Sequence, residues 1–134
     1  VLGGIAGNAA GQTIAVFVRG LALGEVTFAD MGRALFAQGR IGLIAGAILG
    51  TLMLGISCLW EGNLHLAAVV GVALMLNCLV ACLVGAFLPL LLRRVGWDPA
   101  MGANLVTTSI TDACGYALLL GIATMVLRYG WLLN

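Results

Sequence analysis

The sequence has no lysine and few charged residues of either sign. Six basic and five acidic residues make up 8% of the chain, whereas about a quarter of the residues in an ordinary soluble domain are charged. The arginines are scattered and form no basic patch, so we expect no nucleic-acid partner. With 63% hydrophobic residues and a mean hydropathy of +1.17, the chain is expected to be an all-α membrane protein.

Residue types that carry enzymatic or metal chemistry are also scarce. The one histidine, His65, stands beside a polar turn, and a lone interfacial histidine is more often solvated than a metal ligand. The four cysteines all lie in apolar segments, and Cys78 and Cys82, although four residues apart, have no further ligand pair nearby. We interpret the cysteines as small buried hydrophobic residues. No nucleophile, base and orienting group converge, so the chain is not expected to be an enzyme.

Long apolar runs predict a transmembrane helix bundle with four spans, at about residues 1–23, 39–60, 64–92 and 99–127. In the segment 25–38, polar residues alternate with apolar ones at near-helical intervals, which predicts a short amphipathic helix at the membrane surface. Residues 1–134 then form a single transmembrane domain in contact with the lipid bilayer. The chain begins with Val1, without the pattern of a signal peptide, and we interpret it as a fragment.

Glycine recurs at every fourth position in two of these spans. Small residues at this spacing let membrane helices approach closely. The residues are Gly3, Gly7 and Gly11 in the first span and Gly42, Gly46 and Gly50 in the second. Each series therefore predicts a flat strip for a neighbouring helix.

The positions of the arginines predict the orientation. Arg33 and Arg40 flank one connection and Arg93 and Arg94 another, while the turn at 61–63 has none. Since basic residues favour the cytoplasmic side, loops 24–38 and 93–98 are expected to be cytoplasmic. Arg128, near the other side, is the exception.

A carboxylate, Asp112, lies inside the last apolar segment. Asp98 and Pro99 form a typical helix start, and fourteen residues at about 1.5 Å each carry Asp112 roughly 21 Å along the helix. No basic residue is expected at a comparable depth. The acid is either protonated and structural, or ionised and facing water and a cation.

Neighbouring polar side chains favour the second interpretation. They accumulate where a lipid-facing helix would show leucine, and oxygen ligands suit hard cations such as Mg²⁺. The candidates for a wet path are Asn104, Thr107, Thr108, Thr111 and Asp112 on the last span and Asn8 and Gln12 on the first. A twofold dimer with its axis along a pore would present two copies of Asp112 and match the charge of a divalent ion.

Three functions remain open at this point. The first is passive conduction of a divalent cation. The second is a proton- or sodium-coupled exporter in which Asp112 titrates. The third is a membrane assembly subunit in which Asn8, Gln12 and Asp112 only link helices.

Several short motifs, in order, resemble the transmembrane domain of MgtE-family magnesium channels. They are the motifs at residues 7–12, 18–22, 85–89, 93–94, 98–100 and 107–112. The resemblance extends over nearly the whole chain. One position differs, since Leu105 stands where many relatives carry proline.

The resemblance implies a homodimer in a bacterial inner membrane, with five helices per protomer and a pore along the dimer axis. The chain would supply helices two to five, without the first helix and the cytoplasmic regulatory domains. The resemblance assigns Mg²⁺ as the transported ion and a possible gating ligand. It implies that Asp112, Asn8 and Thr108 hold hydrated Mg²⁺, with Thr108 contributing a backbone carbonyl, and that Asp98 binds a gating ion at the cytoplasmic end.

Overall fold

The computed structural model describes residues 2–132, which form four long α-helices and one 3₁₀ turn. The helices are α1 (Leu2–Ala22), α2 (Met31–Glu61), α3 (Leu64–Val95) and α4 (Pro99–Leu132), and the 3₁₀ turn is Phe28–Asp30. The described residues contain no strand. The predicted all-α class is therefore confirmed.

Polar caps and left-handed glycines set the helix ends. Asp98 Oδ1 accepts a hydrogen bond of 2.9 Å from the Ala100 N–H, so the predicted start of the last helix is confirmed. Asn63 Oδ1 accepts from the N–H groups of the first turn of α3. Gly62 and Gly96 follow α2 and α3 with φ of 67° and 83°, a conformation that glycine adopts without steric cost.

The segment expected to form a separate surface helix differs from the prediction. Residues 31–38 are the first two turns of α2, and the 3₁₀ turn precedes them directly. The helix continues because the polar residues before the apolar run include no proline, and a glycine at 39 weakens a helix without ending it. The amphipathic pattern thus belongs to one end of a long spanning helix.

Helix α3 lies at the centre and packs against each of the other three helices, and α1 also contacts α4. The end of α1 packs against the end of α3 and the start of α2: Phe17 and Leu21 cluster with Ala86 and Leu90. The start of α4 follows α3 at the same side. We call this side the arginine-rich end, because Arg19, Arg33, Arg93 and Arg94 lie there.

The second glycine series lets the backbones of α2 and α3 approach each other closely. A Cβ added at Gly46 would lie 2.6 Å from the Met75 carbonyl oxygen, and one at Gly50 would lie 2.6 Å from the Gly71 carbonyl oxygen. Such distances are far below van der Waals contact. The predicted close approach at this series is confirmed.

Three helical stretches within residues 2–132 are long and apolar enough to cross a membrane: Phe28–Trp60, Leu64–Val95 and Gly102–Gly130. Helix α1 has 21 residues, about 31 Å at 1.5 Å per residue, but it carries Asn8, Gln12 and Arg19 and does not join the three. The outer face of α2 exposes Ile44, Ile48 and Leu52, as suits contact with lipid. Helix α1 and its neighbour α4 border the site described next.

Candidate functional site

An open groove of about 630 Å³ runs between α1 and α4. We call it the Asp112 groove. Its described lining residues are Gly3, Gly4, Gly7, Asn8, Gly11, Gln12 and Ala15 of α1 and Asn104, Thr108 and Asp112 of α4. Five of the seven polar candidates from the sequence thus lie along one surface.

Helical spacing explains why these side chains meet. Residues four apart lie on the same face of a helix, so Asn104, Thr108 and Asp112 form one row on α4. Asn8 and Gln12 form a matching row on α1, and both are exposed to the groove. The two rows supply amide, hydroxyl and carboxylate oxygens in the middle of long apolar helices.

Two glycines of the first series, Gly7 and Gly11, border the open part of the groove. A Cβ at Gly7 would meet no atom within 4 Å, and one at Gly11 would come no closer than 3.7 Å to Asn104 Oδ1. Within the described chain, the strip therefore borders the groove instead of packing under another helix. Because these glycines have no side chain, a space remains between the surfaces of α1 and α4.

Asp112 is half-buried, and its carboxylate lies against the backbone of Gly3. A Cβ on Gly3 would collide with Asp112 Oδ1, so a larger residue here would displace the carboxylate from its present position. Among the described residues that line the groove, Asp112 is the charged one. Residues 2–132 contain no group of three or more histidine, cysteine, aspartate or glutamate side chains that could hold a metal, so one protomer offers a single carboxylate here.

Thr108 lies between Asn104 and Asp112 and is engaged through both of its oxygens. Its hydroxyl donates to the Asn104 carbonyl at 2.8 Å, and its own carbonyl accepts from the Thr111 hydroxyl at 3.0 Å. In a regular helix this carbonyl also accepts the backbone N–H four residues later. The hydroxyl oxygen keeps lone pairs that can accept a further hydrogen bond, so in this conformation it is the better-placed oxygen of Thr108.

Thr107 and Thr111 were also candidates for the wet path, but the structure places them elsewhere. Both are 0% exposed and absent from the groove lining. One residue turns a helix by about 100°, so positions 107 and 111 face away from the row at 104, 108 and 112. The two threonines belong to the buried interior of the bundle.

Asn77 is a buried polar residue whose setting the sequence did not reveal. It is 0% exposed on α3, and within residues 2–132 neither polar atom of its amide has a hydrogen-bond partner. A Cβ on Gly115 of α4 would lie 2.7 Å from Asn77 Nδ2. The amide packs against the backbone of α4 at this glycine.

Two further pockets continue the Asp112 groove toward the arginine-rich end. The Arg19 pocket, about 430 Å³, shares Gly11, Ala15 and Asn104 with the groove and adds Ile14, Val18, Arg19, Ala22 and Ala100. The Asp98 pocket, about 400 Å³, shares Val18, Ala22 and Ala100 with the Arg19 pocket and adds Leu21, Arg93, Asp98 and Pro99. Because neighbouring spaces share lining residues, the three lie in a row along the contact of α1 with α4.

At the arginine-rich end, in the Asp98 pocket, Arg93 binds the end of α1. Its Nη1 donates to the Leu21 carbonyl at 2.6 Å, and the same carbonyl also accepts from the Gly24 N–H at 3.3 Å. Asp98 lines the same pocket while it caps α4. The expected position of Asp98 at the start of α4 is therefore observed, beside a basic residue.

Leu105, the position where the resemblance leads one to expect proline, lies inside an unbroken α4. Leucine keeps the backbone N–H that proline would lack, so the helix forms its regular hydrogen bonds here. The side chain is 75% exposed and does not line the Asp112 groove.

Comparison with known proteins decides the family. The family model described as the MgtE divalent cation transporter matches residues 1–122. The chain belongs to the MgtE family.

Similar proteins include three that are each named magnesium transporter MgtE. The protein of Thermus thermophilus is 37% identical over 128 residues, that of Enterococcus faecalis 34% over 126 and that of Bacillus subtilis 30% over 124. The alignments cover 96%, 94% and 92% of this chain, which spans 28% of the length of each relative. MgtE proteins are transporters rather than enzymes, as expected from the sequence.

Proposed function

We propose that the Asp112 groove is one half of a pore for divalent cations, completed by a second copy of the chain. In this proposal Mg²⁺ passes along the twofold axis, driven by the membrane potential, and keeps most of its water. The observation that carries the proposal is the convergence of one carboxylate, three amides and a hydroxyl on an open groove between membrane helices. Lipid cannot satisfy these groups, but water and a cation can.

The chemistry of Mg²⁺ supports a wide, hydrated path. Mg²⁺ loses water reluctantly and usually retains several water ligands in proteins. An open space of about 630 Å³ lined by glycine and polar side chains accommodates an ion with its first hydration shell. Asn8, Gln12, Asn104 and Thr108 would bind the coordinated waters.

The charge of the ion supports the dimer. One Asp112 cannot neutralise a divalent ion, while two related by a twofold axis can. The side chains of Asn8 and Gln12 are exposed in the isolated protomer, and a second copy facing the groove would enclose them around water. A symmetric pore would thereby supply the two negative charges that balance the ion, and it would enclose the polar side chains of the groove.

At the arginine-rich end, Asp98 is the proposed ligand for a gating ion. Its carboxylate lines a pocket next to Arg93, so a bound cation there would alter the contact between α3, α4 and the end of α1. We place this end, with loops 24–38 and 93–98, in the cytoplasm of a bacterial cell. The greater length of the relatives agrees with further regulatory domains that read the ion at this side.

Flux measurements on the full-length protein in liposomes test the proposal. Asp112→Ala should lower Mg²⁺ influx by about tenfold or more, because the central charge is lost from both protomers. Asp112→Asn keeps the shape and should show nearly the same loss. Asp30→Asn is the matched control, since Asp30 is an exposed acid at the start of α2 and should leave the influx unchanged.

The same liposomes separate the competing functions. A pore conducts with the membrane potential alone, whereas an exporter needs an opposing proton or sodium gradient. Undiminished influx in Asp112→Ala, or influx that appears only with such a gradient, would falsify the pore. Absence of flux from the unsubstituted protein in the same assay would favour an assembly subunit.

A further inference from the structure

Arg19 lines the continuation of the groove instead of only marking the membrane surface. Its side chain is exposed and borders the Arg19 pocket together with Gly11 and Asn104. The described lining of this pocket contains no acidic side chain. A fixed positive charge therefore stands on the path that we propose for a cation.

The end of α1 does not explain this charge. Basic residues near a helix C-terminus often stabilise its free carbonyls, but the carbonyls of Arg19, Gly20 and Leu21 already accept backbone N–H groups, and that of Leu21 also accepts from Arg93 at 2.6 Å. Arg19 lies one turn before the helix end and faces the pocket. Its charge is free to act on ions in the pocket.

Asp112 and Arg19 are far apart and carry opposite charges. Asp112 contacts Gly3, which precedes Arg19 by sixteen residues, or about 24 Å along α1. This separation exceeds the Debye length of about 8 Å at physiological salt. Each charge thus sets the potential of its own part of the path, negative at Asp112 and positive at Arg19.

We propose that the charge of Arg19 makes the pore rectify: cations enter more easily from the Asp112 side than from the arginine-rich end. This inference rests on the proposed pore. In the dimer the two Arg19 guanidinium groups lower the concentration of cations between the Asp98 pocket and the Asp112 groove, and the paired Asp112 residues raise it in the groove. The pore would therefore rectify, and cations of the cytoplasm would enter it rarely.

Currents through the full-length protein in planar bilayers, with equal MgCl₂ on both sides, test this role. Arg19→Gln should raise the current carried from the arginine-rich end by about threefold and change the opposite current little. Arg19→Lys should keep the rectification. Arg33→Gln is the matched control, because Arg33 is an exposed arginine at the same end on α2, and should also keep it.

Measurements at two ionic strengths distinguish an electrostatic effect of Arg19 from an effect of its size and packing. Since screening weakens the field of an exposed charge, the effect of Arg19→Gln should be large at about 0.05 M ionic strength and nearly absent at about 0.5 M. A change that is equal for both current directions, or independent of salt, assigns Arg19 a structural role and overturns the inference.

A second variant keeps the test valid if Arg19→Gln fails to fold. Arg19→Cys can be reconstituted and then treated with a cationic or an anionic thiol reagent, with the unsubstituted protein treated alike because Cys58 and Cys114 are partly exposed. The cationic reagent should restore rectification and the anionic one should reverse it. Equal effects of both reagents contradict the inference.

The Asp112 variants separate the two proposals. If Asp112→Ala abolishes the current and Arg19→Gln leaves both current directions unchanged, the pore stands and the role of Arg19 is wrong. If Asp112→Ala leaves the current intact, the pore itself is wrong, and the role of Arg19 falls with it.

Discussion

Two glycine series with the same spacing form opposite kinds of surface. Gly42, Gly46 and Gly50 bring α2 so close to α3 that any added Cβ would collide or press on its neighbours. At the Asp112 groove, Gly7 faces open space, and a Cβ at Gly11 would make only an ordinary contact of 3.7 Å with Asn104 Oδ1. One series closes an interface and the other keeps one open.

The difference shows that glycine spacing predicts a flat surface but not what lies against it. The residues beside each series carry that information. On α2 the glycines share the helix with outward-facing Ile44, Ile48 and Leu52, whereas on α1 they stand next to Asn8 and Gln12. Polar neighbours at membrane depth indicate water, and apolar neighbours indicate lipid on the outside and a dry contact within.

The largest effect on stability is expected from Gly46→Ala, which breaks the closed interface. Its Cβ would lie 2.6 Å from the Met75 carbonyl and 3.1 Å from the Met75 Cα, so the backbones must separate. Overpacking of this kind costs about 1–3 kcal/mol. The thermal midpoint of the full-length protein in detergent should fall, and an unchanged midpoint would show that α2 and α3 are not packed in this way.

Gly3→Ala is expected to have a smaller effect than Gly46→Ala, and to lower the influx instead of the stability. The new Cβ collides with the Asp112 side chain and not with a backbone. The new Cβ meets the Asp112 carboxylate, which must leave its present position. A side chain forced off its rotamer costs about 0.5–1.5 kcal/mol, so we expect roughly two- to tenfold lower Mg²⁺ influx. The thermal midpoint should change little; a fall like that of Gly46→Ala would mean that the contact is structural.

The smallest effect is expected from Gly7→Ala, the matched control for both. No atom lies within 4 Å of the new Cβ, and alanine favours a helix over glycine by up to about 1 kcal/mol. The thermal midpoint should stay the same or rise slightly, and the influx should change by less than about twofold. A clear loss of stability would place a close neighbour at Gly7 and contradict the open groove.

The helices and their ends were largely predictable from the sequence, because local chemistry determines them. Asp98 caps α4 as its position before Pro99 indicated, and Gly42, Gly46 and Gly50 form the close contact that their spacing predicted. The continuous start of α2 was not predicted. An amphipathic pattern reports the environment on each side of a helix, and it does not report whether the helix stops where the environment changes.

The candidate site was predictable in part. Spacing of four residues placed Asn104, Thr108 and Asp112 on one face, and the structure confirms that they share a groove with Asn8 and Gln12. The burial of Thr107 and Thr111 was not predicted. Helical spacing shows which residues share a face of α4, but it does not show which face packs against a neighbouring helix. The contact of Gly3 with Asp112 depends on how α1 and α4 are offset, which only packing in three dimensions sets.

The polarity of α1 also has a consequence for how the protein is made. A helix that carries an arginine and two amides partitions poorly into lipid when it stands alone, because each such group costs free energy in hydrocarbon. Its buried face, with Ala6 and Ala10, matches Leu74, Cys78 and Ala81 of α3, a helix synthesised some sixty residues later. Stable membrane integration of α1 should therefore follow the emergence of α3 from the ribosome, although α1 is translated before α2 and α3.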